Sequence, residues 1–103
     1  MRIPFRFVAL LGALIASVAI AQESYRPPAG MVPTEETAVA IAVAVFKPIY
    51  GADRIDSERP FRASLKSGVW HVNGSLPPGA IGGTAEAEIA QQDGRVLRVW
   101  HGQ

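Results

Sequence analysis

Residues 61–73 read Phe61-Arg62-Ala63-Ser64-Leu65-Lys66-Ser67-Gly68-Val69-Trp70-His71-Val72-Asn73. Phe61, Ala63 and Leu65 alternate with Arg62, Ser64 and Lys66, the period-2 pattern of a strand with one buried face. Ser67-Gly68 is a two-residue turn signal. A hairpin closed there sets Leu65 opposite Trp70 and Ala63 opposite Val72. Both pairs are apolar against apolar, so turn and pattern agree on one register. The second strand, residues 69–75, then buries Trp70 and Val72 and turns His71 and Asn73 outward.

Downstream, Leu76-Pro77-Pro78-Gly79-Ala80-Ile81-Gly82-Gly83 is too rich in proline and glycine for a regular element. A third strand follows, with Ala85, Ala87 and Ile89 alternating against Glu86 and Glu88. The last strand runs over residues 95–101, and the turn before it is decided by phase. A two-residue Asp93-Gly94 turn sets Ile89 against the charged Arg98. A three-residue loop, Gln92-Asp93-Gly94 with a left-handed Gly94, sets Ile89 opposite Leu97 and Glu88 opposite Arg98, and is the better fit.

Upstream of the hairpin, residues 51–59 read as a charged loop. Before them, Thr34 stands ahead of Glu35-Glu36, an N-cap with acidic residues where the helix dipole favours them. Residues 37–46 are rich in Ala and Val and nearly every position is apolar, so the helix is well buried or packed on two sides. Pro48 lacks an amide donor and should end or kink the helix near Phe46. Residues 22–33 contain Pro27, Pro28 and Pro33 and read as an extended lead-in. The expected fold is α+β: one N-terminal helix packed on a four-stranded antiparallel meander, a single domain over residues 34–103.

The first residues have a different character. Arg2 and Arg6 precede an apolar run from Phe7 to Ala21, which closes on Ala19-Ile20-Ala21, a small-x-small site of the kind signal peptidase accepts. The run is shorter than the roughly 20 apolar residues a membrane-spanning helix needs. Residues 1–21 therefore read as a signal peptide cleaved between Ala21 and Gln22, and the product as an exported, periplasmic or secreted protein not inserted in a membrane. That segment carries two of the ten basic residues and none of the nine acidic ones, leaving 82 residues of net charge −1. Such a balance argues against nucleic acid and anionic membrane surfaces as partners. With no cysteine in the chain, stability rests on packing alone.

No catalytic constellation stands out, and neither a metal nor a cofactor is expected. His71 and His101 fall on opposite sheet faces and read as solvated, without the clustered ligands of a structural metal site. Ser64, Ser67 and Ser75 lack a nucleophile elbow. Glu86 and Glu88 sit two apart on one face, a spacing two-carboxylate hydrolysis can use, though a solvated face with Glu88 paired to Arg98 is commoner. Gly82-Gly83 has no following Lys-Ser/Thr and permits a tight backbone path. One feature remains. Trp100 shares a face with Val96, Arg98, Arg62, His71, Asn73, Glu86 and Glu88, and tryptophan among Arg and His has the composition of an interface centre. The alternative is Trp100 packed under residues 22–33 against Tyr25; in that case the partner surface moves to the Pro77–Gly83 loop.

An ordered series of short motifs carries a resemblance. Thr34-Glu35-Glu36-Thr37-Ala38 is followed by Lys47-Pro48-Ile49-Tyr50-Gly51, Arg59-Pro60-Phe61-Arg62-Ala63 and Gly68-Val69-Trp70-His71-Val72-Asn73-Gly74. Leu76-Pro77 through Gly82-Gly83 and Asp93-Gly94-Arg95-Val96-Leu97 complete it. Over residues 33–102 the chain resembles the small bacterial immunity proteins with a nuclear-transport-factor-2-like fold. The resemblance implies a minimal cone-like fold and a non-enzymatic protein that binds and neutralises a toxin of a polymorphic or contact-dependent system. Export suits a toxin met at the envelope. The competing readings are a small periplasmic ligand- or peptide-binding module and, behind it, a cone-fold hydrolase or isomerase. Mass spectrometry of the exported protein should find Gln22 at its N-terminus; intact Met1 protein in the membrane fraction would overturn that reading.

Overall fold

The structure, a computed structural model, describes residues 22–103, so the run read as a signal peptide lies outside the described residues. The elements are α1 (Glu35–Tyr50), α2 (Ala52–Ser57), β1 (Arg62–Lys66), β2 (Val69–Asn73), β3 (Ala85–Ala90) and β4 (Val96–His101). The strands form one sheet in the order β1-β2-β3-β4, every neighbour antiparallel. α1 packs across β1, β2 and β3. The architecture is α+β, a helix followed by a four-stranded meander.

α1 begins where the cap residue places it. Thr34 is extended and its hydroxyl accepts from the Thr37 amide at 3.2 Å, with Glu35 and Glu36 in the first turn. Ala38, Ala42, Val43 and Phe46 form the buried stripe, at helical spacing. Ala40 and Ala44 on the opposite side are exposed, so the all-apolar composition does not mean burial all round. Nor does the helix stop near Phe46. It runs through Pro48 to Tyr50, because the carbonyl that proline leaves unserved is that of the exposed Ala44, where water can reach it. The extra turn lets Tyr50 pack on Phe46, which itself meets Phe61. Gly51, at φ 93°, then closes the helix by donating to the Lys47 carbonyl at 2.8 Å.

Residues 51–59 are not all loop. α2 fills most of them, anchored by Ile55, a single buried apolar side chain too isolated to show a period. The β1–β2 hairpin follows the alternation: Ser67 at φ 50° and Gly68 at φ 76° form the two-residue turn, and Leu65 pairs with Trp70, Ala63 with Val72. Leu65 is nevertheless 44% exposed, since β1 is an edge strand. In β3, Ala85, Ala87 and Ile89 face the core. The β3–β4 turn departs from its expected phase. Glu88 pairs with Arg98 and Gly94 is left-handed at φ 78°, but a bulge places Val96, not Leu97, opposite Ile89. The extra residue absorbs the phase change the turn alone would have imposed. Val96 therefore leaves the polar set and pairs with a core residue.

The lead-in is part of the packed structure. Met31 and Val32 donate their amides to the carbonyls of Gln92 and Gln91, and Val32 is fully buried. Its carbonyl accepts from Trp70 Nε1 at 2.8 Å, satisfying the one polar atom of the largest core side chain. A Trp70→Ala variant loses both that bond and a large apolar volume, and should cost about 3–5 kcal/mol, close to the whole stability of a domain this size. Urea unfolding measures it; a midpoint near that of the wild type would show that the Trp70 site is not core.

Candidate functional site

Antiparallel register lays the outer sheet face out in two adjacent rungs. One runs Arg62, Asn73, Glu86, Trp100; the other runs Ser64, His71, Glu88, Arg98. Val96 excepted, the residues singled out around Trp100 thus share one face with it, because period-2 alternation sends every second side chain to the same side. Their side chains divide into a cluster and two outliers. His71 Nε2 lies 2.8 Å from Glu86 Oε1, and the imidazole stacks on the Trp100 indole with centroids 5.8 Å apart and planes 8° from parallel. Arg98 places its guanidinium carbon 4.1 Å from the indole centroid, a cation–π contact. Together with Ser64, Lys66, Val69 and Glu88 these groups line a shallow depression of about 410 Å³.

Arg62 is drawn away from this cluster. Its guanidinium donates to Glu35 at 2.8 and 3.4 Å, and Glu35 also accepts the Ala63 amide at 2.9 Å. Hydrogen bonds from Arg62 and then from the Ala63 amide hold the Glu35 carboxyl below its ordinary range. Glu35 is thus a strand-edge clamp as well as a first-turn helix residue. Asn73 turns toward the Gly74 carbonyl at 3.3 Å and lies beside a neighbouring hollow with Glu86 and Thr84. Trp100 does not pack under the lead-in; that role belongs to Trp70, and Tyr25 stands 76% exposed.

A second cluster, invisible in the sequence pattern, centres on Glu58. This nearly buried carboxylate accepts the Ala85 amide at 2.8 Å, His101 Nε2 at 2.8 Å and Arg54 Nε at 3.5 Å. His101 is accordingly not a solvated surface histidine. It is half-buried, with Tyr50 edge-on at 5.3 Å and its Nδ1 2.8 Å from the Gly102 carbonyl. Both lie on the wall of an open cleft of about 570 Å³ whose other lining includes Arg54, Leu76, Ile81 and the Gly82-Gly83 pair. The glycine pair serves close approach: a Cβ on Gly83 would sit 2.4 Å from the Gly102 backbone. Burial pushes the Glu58 carboxyl up, but the Ala85 amide, His101 and Arg54 outweigh it, and the net displacement is downward. A carboxylate so held is an ionised anchor rather than a poised acid. Nothing in the local pattern, Ser57-Glu58-Arg59-Pro60, marks it, because its two closest partners, Ala85 and His101, come from β3 and β4.

Among the described residues no group of three or more His, Cys, Asp or Glu side chains is placed to hold a metal ion, and no helix is long and apolar enough to cross a membrane.

With the fold and both clusters in view, the chain can be set against known proteins. Residues 37–103 match the NTF2 fold immunity proteins, which covers the helix body and the entire sheet. The chain belongs to that family. This immunity-family domain is also 31% identical, over 74 residues, to the uncharacterized protein YhhH of Escherichia coli (strain K12). The match takes in 71% of this chain and 58% of that protein, so the chain spans little more than half the relative's length. No solved structure matches it.

The depressed Glu58 carboxyl makes a prediction about acid. A group whose folded pKa lies below its unfolded value adds stability above the unfolded value, about 4.3, and loses it as pH falls through the folded one. The wild-type melting temperature should therefore drop as pH is lowered from about 5 to about 3. Glu58→Gln should melt lower than wild type at neutral pH and decline less in acid, retaining the slope due to Glu35. Thermal melts across that range decide it; an unchanged acid slope in the variant would remove Glu58 as a cause.

Proposed function

We propose that this immunity-family protein is exported and neutralises a bacterial toxin without catalysis, by binding it through the outer face of the sheet. One observation carries the choice of face. Trp100 is held in position by Arg98 at 4.1 Å and by the parallel His71 ring, so a half-buried indole stands on this face already ordered. An indole with its rotamer fixed before binding loses little entropy on docking, and aromatic and Arg side chains are the usual centres of binding energy. Glu86, Glu88 and Lys66 around it supply polar groups for a rim. Arg62 and Asn73 fit the periphery of such a surface, because Arg62 is already engaged by Glu35. The Arg2-to-Ala21 segment with its Ala-x-Ala site supports export, which suits a toxin met outside the inner membrane.

A second reading, binding of a small ligand or peptide, draws on the cleft of about 570 Å³ between the Leu76–Gly83 loop and His101. An enzymatic reading of that cleft is weaker. Its carboxylate–imidazole pair is already engaged by the Ala85 amide, by Arg54 and by the Gly102 carbonyl. The deciding experiment takes any toxin encoded by a gene neighbour and titrates it against purified protein and against Trp100→Ala. Affinity should fall by about 2 kcal/mol, roughly thirtyfold, with the melting temperature unchanged. Normal binding by Trp100→Ala would move the interface off this face, and Ile81→Asp on the cleft loop then becomes the variant expected to lose it.

A further inference from the structure

β4 ends the sheet, and its outer edge is used by neither the core nor the polar face. The strand order leaves two edges, which are treated differently. On β1 the outward Ala63 amide is taken by Glu35, and exposed Arg62 and Lys66 stand along the strand. Charges and an occupied donor are common means of keeping an edge from pairing. β4 also exposes one charge, Arg98, but among the described residues no side chain takes any of its outward amides. α1 packs on β1, β2 and β3, and the exposed residues along β4 include Val96 and Leu97.

The ladder tells which peptide groups of β4 are free. Gly102 donates to the Thr84 carbonyl at 2.9 Å, one step beyond the pairs Ala85 with His101 and Glu86 with Trp100. Antiparallel rungs alternate between bonded and non-bonded, so Trp100 and Arg98 turn their peptide groups toward β3, while Val99 and His101 turn theirs outward. Among the described residues, neither Val99 nor His101 has a backbone partner on that side.

We propose that β4 pairs antiparallel with β4 of a second copy of this chain, about a two-fold axis at Val99, joining the two sheets into one of eight strands. Self-pairing that keeps like faces together must centre on a residue, which leaves few registers. Centring on Arg98 sets Arg98 against Arg98, like charge against like. Centring on Trp100 sets Arg98 opposite Gly102, with no side chain to meet. Centring on Val99 lets the two Val99 residues exchange both of their outward hydrogen bonds. It also sets each Arg98 directly across from the other copy's Trp100, the same pair that already stacks at 4.1 Å within one chain. On the helix side Val99 meets Val99, and Leu97, 43% exposed in the single chain, is partly covered. The two polar faces then run together, with both Trp100 residues near the junction.

Sedimentation equilibrium on the purified exported protein tests this without any toxin, so its outcome is separable from the toxin-binding reading. The wild type should rise toward twice the monomer mass with concentration. Val99→Pro deletes an amide that β3 does not use, on an edge where proline is tolerated, and should remain monomeric with nearly unchanged melting. Arg98→Glu keeps the backbone edge intact and should weaken association at least tenfold; it decides the matter if Val99→Pro fails to fold. A wild type that stays monomeric at the highest concentration reached would overturn the proposal. So would a dimer that survives Val99→Pro or is indifferent to Arg98→Glu.

Discussion

One helix has to cover a sheet wider than itself. A helix with its side chains is about 10–12 Å across, whereas four strands at about 4.8 Å spacing span roughly 15–20 Å with theirs. α1 accordingly lies over β1, β2 and β3, and the sheet's remaining apolar surface is closed by smaller pieces. Val32 arrives from the lead-in and is locked by its own amide and carbonyl, the latter on the Trp70 indole. Ile55 arrives from α2 on the other flank. Without a disulfide, a domain of this size depends on each of these patches.

The same shortfall explains the position of Glu58. Only Tyr50, the last residue of α1, reaches the end of β4, and a carboxylate at the end of α2 ties that strand end to the start of β3 through His101 and the Ala85 amide. The anchor is electrostatic where the core is apolar, so these two parts of the fold respond to different conditions. Acid loosens the strand ends, whereas loss of apolar volume weakens the centre. On the polar face Arg62 shares the first of these through Glu35, whereas the side chains around Trp100 hold one another.

Residues that repeat with a period were legible in the sequence. Trp70, Val72, Ala85, Ala87 and Ile89 alternate, so their burial and the pairing of Leu65 with Trp70 were readable before any coordinates. The common face of Trp100, Arg98, His71 and Glu86 follows from the same arithmetic. Where the signal is a single residue, the reading failed. Ile55 is one apolar side chain among charges, and α2 was not seen. The bulge at Leu97 leaves no compositional trace, so Val96 was assigned to the wrong face. Pro48 was read by its local rule, which tertiary contacts at Tyr50 override.

By itself the sequence determined the long helix and the order of the strands, the buried face of β2 and β3, and membership of the immunity family, because all three are encoded in local periodicity and in motifs ordered along the chain. Only the tertiary structure decided which long-range partners the polar groups take: Arg62 with Glu35 rather than the sheet face, His101 with Glu58 rather than water, Trp70 with Val32. Hydrogen bonds between residues 27 to 43 positions apart have no footprint in a periodic pattern, since their geometry exists only once the elements carrying them have packed.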